Sequence, residues 1–508
     1  MVSPPARLAE RLVLPVRHAA RRRLITVVAL VVLALSVPVG VSVADAAPSP
    51  SAPPTTRLAL GAVKEVNYMP ATASWQDMWS RWNPAQLTSD YRTIKALGAN
   101  TVRVTIPAPT MGYPSPYPLM VGRLAQLLAL AAAQGLHVQL TLFDNFGLYS
   151  QIAASRSFVR LLLARYANDP QIAFVEVQNE IWPGNRAAMA WAAAMLPAVK
   201  SVVRDVPVTI STPGSLGVRG LIHLKRDLAA TPPDFYDFHF YGSIGAAYST
   251  IAAAKAAAAP SKLFVGEAGI NTAGPGGAAL LQSQQAEFYN SVNAATAALS
   301  LPPAAPWTMF DLTRSGAPAG TRAADLDWGL YRVNHSPKPA AGLERSFFQT
   351  GRVSLIDNAA FRASYGGVPT GWLPINRTAG VLTRNPGPRG GSPSVQISDA
   401  RGSQGAQAAW STTADLGAIT PGQRVAAAVW ARGAAATGRT TISIAWFNDR
   451  DTFLANATSA PLPTGRTGWT RLHVASSAPI GAAYAVVNLQ SYADKGKVKF
   501  RNVSFQRV

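Results

Sequence analysis

Between Arg57 and about Phe348, short β-branched apolar runs alternate with alanine-rich stretches whose apolar residues recur at helical spacing. Alternation of that kind predicts a parallel sheet whose strands are joined by crossover helices. Eight runs read as strands: Leu58 to Val63, Thr101 to Ile106, His137 to Phe143, Ile172 to Gln178, Val206 to Ser211, Phe235 to Tyr241, Leu263 to Gly266 and Pro306 to Phe310. Helices are expected over Leu124 to Gln134, Ser157 to Ala167, Arg186 to Val203, Ser249 to Ala258 and Ser283 to Leu299. Gly98 and Gly135 stand where helix-ending glycines belong. Eight strands in about 290 residues match an α/β fold of the closed (β/α)8 TIM-barrel type. An open doubly wound sheet fits less well, because no Gly-x-Gly-x-x-Gly follows the first strand.

After Gly351 the pattern changes to short alternating strands set between Gly, Pro, Ser and Thr clusters. The clearest are Val425 to Ala431, Thr440 to Trp446, Thr470 to Ala475, Tyr484 to Leu489 and Val498 to Phe505, which predict an all-β jelly-roll sandwich. At the other end Arg21, Arg22 and Arg23 precede an apolar run from Leu24 to Leu35, and Ala44-Asp45-Ala46 follows. That arrangement reads as a secretory signal cleaved after Ala46; the competing reading is an uncleaved anchor over Leu24 to Val43. The expected organisation is a signal peptide at 1–46, a Pro/Ser/Thr linker at 47–56, a barrel at 57–350 and a sandwich at 351–508. Such a chain is secreted and extracellular, with no membrane association once the signal is gone.

Composition narrows the chemistry. None of the 508 residues is cysteine, so disulfides, thiolate catalysis and Cys-ligated metals are excluded. The six histidines show no ligand spacing, and no metal or other cofactor is expected. The net charge of +21 is uneven, with +11 on residues 351–508 alone. This points to contact between the C-terminal domain and an anionic cell-wall polymer, whereas nucleic acid is not expected because no recognition motif accompanies the arginines.

Two glutamates each close an apolar run: Glu180 in Phe174-Val175-Glu176-Val177-Gln178-Asn179-Glu180, and Glu267 in Leu263-Phe264-Val265-Gly266-Glu267. Strand C-termini form the catalytic face of a barrel, so both carboxylates are expected in one cleft, the pairing of a retaining glycosidase. Glu180 is the expected acid/base, with a carboxyl raised by burial, and Asn179 beside it supplies an amide for a sugar hydroxyl. Glu267 is the expected nucleophile. Arg103 lies on the inward parity of its strand, able to pair with Glu267 or with Glu176, or with both. His239 and Tyr241 share one strand face; Tyr241 is expected to donate to Glu267, and His239 to bind substrate or the acid/base. Asp144 and Asn145 end the third strand and are expected to bind substrate hydroxyls, with Trp307 as a sugar platform. Trp75, Trp79 and Trp82 either line the cleft or pack under a loop.

This set of positions resembles glycoside hydrolase clan A, and within it the cellulase-like family 5: Arg103, Asn179-Glu180, His239-Phe240-Tyr241, Glu267, Trp307 and the closing segment Asp327-Trp328-Gly329-Leu330-Tyr331. The resemblance covers about residues 60–348 and implies Glu180 as acid/base, Glu267 as nucleophile and retention at the anomeric carbon. Family 5 often has a histidine after the third strand, where this chain has Asp144-Asn145-Phe146-Gly147. The C-terminal region resembles jelly-roll carbohydrate-binding modules of families 4 and 9 in Asn358, Phe361, Thr370-Gly371-Trp372, Thr420-Pro421-Gly422-Gln423 and Thr467-Gly468-Trp469-Thr470. Trp410, Trp430, Trp446 and Tyr492 are expected mainly in the sandwich core. Together these readings describe a secreted retaining β-glycosidase acting on a polysaccharide or oligosaccharide. A wall-glycan-binding protein without turnover and a transglycosylase with the same residues are the rival readings.

Overall fold

The computed structural model describes Pro54 and residues 56–508, apart from 244–245, 275–277, 352, 354, 357–358, 362–363, 366, 370, 386–392, 402–406, 413–418, 420, 449 and 451. The expected signal peptide lies outside the described residues, as do Asn358, Thr370 and Thr420. Among the described residues, no helix is long and apolar enough to cross a membrane.

The described residues up to Thr350 form a (β/α)8 barrel. Strands β1 (Glu65–Asn67), β2 (Thr101–Ile106), β3 (His137–Leu142), β4 (Ile172–Glu176) and β5 (Val208–Thr209) make one parallel sheet. Strands β6 (Phe235–Phe240) and β7 (Lys262–Ala268) make a second, joined to β5 by the Ser211–Asp237 bridge and by Asp234 N–H donating to Val208 O. The eighth wall, expected as a strand over Pro306 to Phe310, is too irregular to form one. It nevertheless closes the ring, because Trp307 N–H donates to Ala268 O on one side and Met309 N–H to Asn67 O on the other. Around the ring lie α1 (Asp77–Ser80), α2 (Pro84–Leu97), α3 (Pro118–Ala132), α4 (Ile152–Leu163), α5 (Arg186–Val203), α6 (Gly217–Asp227), α7 (Ala247–Ala258), α8 (Ala278–Ala298) and α9 (Pro339–Thr350). Their ends follow local chemistry. Asn83 caps α2 through Gln86 N–H with Pro84 in the first turn, and Gly98 ends it at φ 96°.

The first strand is displaced from its expected place. Leu58 to Val63 does not pair; it plugs the floor of the barrel, where Leu58, Leu60 and Val63 pack on Ala173, Phe174, Phe235, Phe264 and Ala305. An apolar run buried end-on has the same composition as a strand, so periodicity alone does not separate them. Above this floor the inward residues are polar. Glu65, Arg103, Gln139, Glu176, Asp237 and His239 are all fully or almost fully buried. The outward residues of the same strands, such as Val102, Leu140, Val175 and Phe240, join the apolar layer beneath the helices.

The C-terminal region is a sandwich with its own core around Trp372, Trp410, Trp446, Leu489 and Phe500. A small hairpin of β8 (Ser364–Tyr365) and β9 (Val368–Pro369) precedes two five-stranded antiparallel sheets built from β10 (Trp372–Ile375), β11 (Val381–Asn385), β12 (Ser394–Ser398), β13 (Ala408–Thr412), β14 (Arg424–Ala434), β15 (Arg439–Phe447), β16 (Phe453–Thr458), β17 (Thr470–Ser477), β18 (Tyr484–Tyr492) and β19 (Lys497–Arg507). Their orders are β10-β13-β18-β15-β16 and β11-β12-β19-β14-β17. Trp410 and Trp446 are core residues as expected, but Trp430 is 40% exposed on the outer face of the second sheet. Arg507 reaches the barrel by donating to Ala294 O in α8.

Candidate active site

Both glutamates emerge at the C-terminal mouth of the barrel, in a cleft of about 880 Å³ lined among others by Trp75, Asp144, Asn145, Asn179, Tyr241, Trp307 and Trp328. Strand β4 ends at Glu176, and four residues later the chain turns through Glu180 at φ 49°. A left-handed conformation is costly for a residue with a side chain and persists where its surroundings fix it. Here Glu180 N–H donates to Ser211 Oγ at 2.9 Å, and Glu180 Oε1 accepts from Gly214 N–H at 3.0 Å.

Arg103 is the hub beneath the cleft. Its Nη1 donates to Glu267 Oε1 and, at 2.7 Å, to Asn67 Oδ1. Nη2 donates to Glu176 Oε2 at 2.7 Å and to Asn179 Oδ1 at 2.8 Å, while Nε serves Thr141 Oγ1 and Glu176 Oε2. The pairing with Glu267 and the pairing with Glu176 therefore coexist, as a five-donor guanidinium allows. Tyr241 Oη donates to Glu267 Oε2. Burial, then the charge of Glu267, pushes the Tyr241 phenol well above its ordinary range, so it stays a donor.

His239 Nδ1 lies 2.9 Å from Glu180 Oε1 and 3.3 Å from Glu267 Oε2, touching both carboxylates. Burial works against its charge, but Glu267, Glu180 and Asp237 outweigh it and raise the imidazole to about 9. The same contact corrects the expectation for Glu180. Burial does push that carboxyl up, but the His239 hydrogen bond and charge, the Gly214 amide and Arg103 outweigh it and hold Glu180 below its ordinary value. At neutral pH the shared proton therefore resides on His239.

Asn179 is fixed from both ends, accepting from Arg103 and donating to Asp144 Oδ1 at 3.3 Å. Asn145 Nδ2 donates to the other Asp144 oxygen at 3.3 Å. Burial lifts the Asp144 carboxyl to about 6 despite the lowering by Arg103 and Asn179. Trp307 lies 6.2 Å from Trp75 at a tilt, while Trp328 meets Tyr241 edge-on at 5.6 Å. Trp75 thus faces the cleft, whereas Trp79 is fully buried, bonds Thr105 O and stacks on Trp82.

Sequence reasoning missed the groups that hold this set in place. Asp237 sits beneath His239, accepts from Gly266 N–H at 2.9 Å and lies 3.9 Å from His239 Nε2. A Cβ on Gly266 would lie 2.1 Å from that carboxylate, which explains the glycine before Glu267. Among the described residues neither Glu65 oxygen has a hydrogen-bond partner, and burial drives its carboxyl well above the ordinary range despite the lowering by Arg103, so it is a neutral acid. The inward parity of Glu65 and Asp237 with Arg103 and His239 was the available signal. Two clusters, Glu176–Asp237–His239 and Glu180–His239–Glu267, bring ligand-type atoms within 4.8 Å of one another.

The family model that matches the chain agrees with this architecture. Residues 64–300 match the family model for cellulase (glycosyl hydrolase family 5). No curated protein matches the chain by sequence. Among solved structures, a GH5_18 protein from Streptomyces cattleya in complex with GlcNAc is similar at 19% identity and TM-score 0.47, over 57% of this chain and 80% of that one. An exo-β-1,4-mannosidase from Opitutaceae bacterium strain TAV5 is similar at 16% identity and TM-score 0.48, over 56% and 58%. A GH5_18 protein from Bifidobacterium longum subsp. infantis is similar at 17% identity and TM-score 0.47, over 56% and 78%. The segment 64–300 is thus of the cellulase type of glycosyl hydrolase family 5, and the barrel that contains it is a glycoside hydrolase.

Proposed function

We propose that the chain is an exported retaining β-glycosidase in which Glu267 attacks the anomeric carbon and Glu180 serves as acid and then base. The observation that carries this reading is that both carboxylates meet at one imidazole, His239 Nδ1 lying 2.9 Å from Glu180 Oε1 and 3.3 Å from Glu267 Oε2, with an oxygen of each carboxylate within 4.8 Å of the other. Retaining sites hold their two carboxyl groups about 5–5.5 Å apart, and so close an approach supports that class.

In the first step the Glu267 oxygen bonds to the anomeric carbon as the glycosidic bond breaks, and the leaving oxygen takes a proton from Glu180. That proton comes from His239, passing through the 2.9 Å contact from Nδ1 to Glu180 Oε1 and on to the leaving oxygen, so that the step ends with Glu180 ionised and His239 neutral. Esterification cancels the Glu267 charge, the foremost influence raising His239, so the ring gives up its proton more readily at this stage. In the second step Glu180 removes a proton from water, whose oxygen attacks the anomeric carbon and frees Glu267. Asn179 and Asp144, fixed beside this path, are assigned to the hydroxyls next to the reacting carbon, and Trp307 and Trp75 to the sugar faces.

Export rests on the Arg21–Arg23 triplet ahead of the apolar run and is checked by N-terminal sequencing of the secreted form. The activity is tested on β-glucans, mannans, xylans, galactans, arabinogalactan and Man-β1,4-GlcNAc, with NMR of the first-formed anomer. Hydrolysis with retention, abolished in Glu180→Gln and Glu267→Gln, is expected. Turnover that survives both substitutions, or an inverted product, refutes the mechanism, and binding without turnover supports the glycan-binding rival.

A further inference from the structure

The sheet β11-β12-β19-β14-β17 has a charge pattern that the barrel does not explain. Its five strands carry eight Lys or Arg residues and no Asp or Glu. The inward residues, such as Val425, Val429, Leu472, Val498 and Phe500, are core, so the alternate positions face outward.

Strand register arranges these cations in rows. Trp430 on β14 stands between Arg471 on β17 and Arg501 on β19. In the next row Arg432 pairs with Lys499, and beyond it Lys497 continues the β19 line. Alternate residues on one strand lie about 7 Å apart and neighbouring strands about 4.8 Å apart, so the five charges fill one compact patch. Arg432, Arg471, Lys497 and Lys499 are exposed, and none of the five cations enters an ion pair among the described residues.

The patch also has fixed features. The Arg501 guanidinium lies 4.0 Å over the Trp469 ring, and its Nε is buried with no hydrogen-bond partner among the described residues. Stacking fixes the plane of the fork while leaving its donors for an oxyanion. Trp430, 40% exposed between two arginines, offers a flat apolar surface of the kind sugar rings cover. Like charges this close repel one another, and a bound polyanion relieves that repulsion.

We infer that this face of the C-terminal sandwich binds an anionic polysaccharide, its carboxylates or phosphates paired with Arg432, Arg471, Lys499 and Arg501 and a sugar ring laid on Trp430. The choice of a glycan over a nucleic acid rests on the glycosidase reading of the barrel; the anionic ligand class rests on the patch itself.

The test uses the full chain carrying Glu267→Gln, so that binding is read without consumption, in affinity gels containing polygalacturonate, neutral dextran or double-stranded DNA. Retention by polygalacturonate is expected, with little by dextran, and it disappears as salt approaches 1 M, where charges are screened within about 3 Å. Arg471→Ser/Lys499→Ser/Arg501→Ser is expected to weaken binding at least about tenfold, and Trp430→Ala alone to weaken it measurably. Arg432→Ser, at an exposed position, provides a second charge variant should the triple change fail to fold. Thermal melting checks folding, and the same surface changes in the Glu267 background are expected to leave hydrolysis of a small soluble substrate unchanged. Unaltered retention in folded charge variants, equal retention by dextran, or stronger retention by DNA overturns the inference. Because Glu267→Gln is silent in these gels, loss of the glycosidase mechanism and loss of the polyanion site give separate results.

Discussion

Replacing His239 by Asn keeps a hydrogen-bond donor near the position of Nδ1 but removes the group that stores the shared proton. In the wild type the Glu180–His239 pair is expected to lose that proton near pH 9 and, on the proposed mechanism, to set the alkaline limb of kcat/KM there. In the variant, Glu180 must hold the proton itself. Its charged partner is gone, so burial, the largest influence on it, is opposed mainly by the Gly214 amide and Arg103. Asp144 is the internal reference: a buried carboxyl in the same cleft, held by two side-chain amides, and raised to about 6. The limb is therefore expected to move down from about 9 into the range of a buried carboxyl. Each pH unit by which the limb falls below the assay pH costs the variant about tenfold in kcat/KM, and the loss is recovered as the pH is lowered. The assay is a kcat/KM profile from pH 4 to 10 on the best substrate of the panel. A His239→Asn limb that stays near 9, or a loss independent of pH, refutes the proton-store argument.

Tyr241→Phe removes a phenolic donor from Glu267. A hydrogen bond to a charged group is worth about 1.5–3 kcal/mol, so kcat is expected to fall about 10- to 150-fold, with substrate affinity changed less. Gly266→Ala drives a methyl group into the Asp237 carboxylate and moves Glu267 with it, so kinetics should show a large loss of kcat in a protein that still folds by circular dichroism. Glu344 is buried in α9 and accepts from Asn293, and burial raises its carboxyl from 4.5 to about 8. The folded state keeps that proton while the unfolded chain releases it, so stability is lost as pH rises from 4.5 to 8, by up to about 4–5 kcal/mol. Glu344→Gln removes this dependence, and denaturant melts should show the variant stabilised relative to wild type at pH 8 but not at pH 4.5; equal wild-type stability at both values refutes it.

What was legible in the sequence follows from how the signals are encoded. A polar residue closing an apolar run is local, so Glu180, Glu267 and the inward parity of Arg103, His239 and Tyr241 were readable one strand at a time. The proton balance of the site was not. The depressed Glu180 carboxyl depends on Gly214 and His239, both distant in the chain and brought to it by folding. Asp237 and Glu65 look like ordinary strand acids until closure of the ring places them inside it. In the sandwich, Trp430 has the same alternation as the core tryptophans, and only the sheet partners of β14 reveal that it faces outward.

The floor plug bears on where the barrel can be cut. The family match spans 64–300 and so leaves out Leu58, Leu60 and Val63 at one end, and the Pro306–Phe310 wall and α9 at the other. A fragment with those limits would open the ring between Ala268 and Asn67 and uncover Phe174, Phe235 and Phe264 from below. The packed unit is larger than the matched segment, and an expression boundary for the isolated barrel belongs before Leu58 and after Thr350.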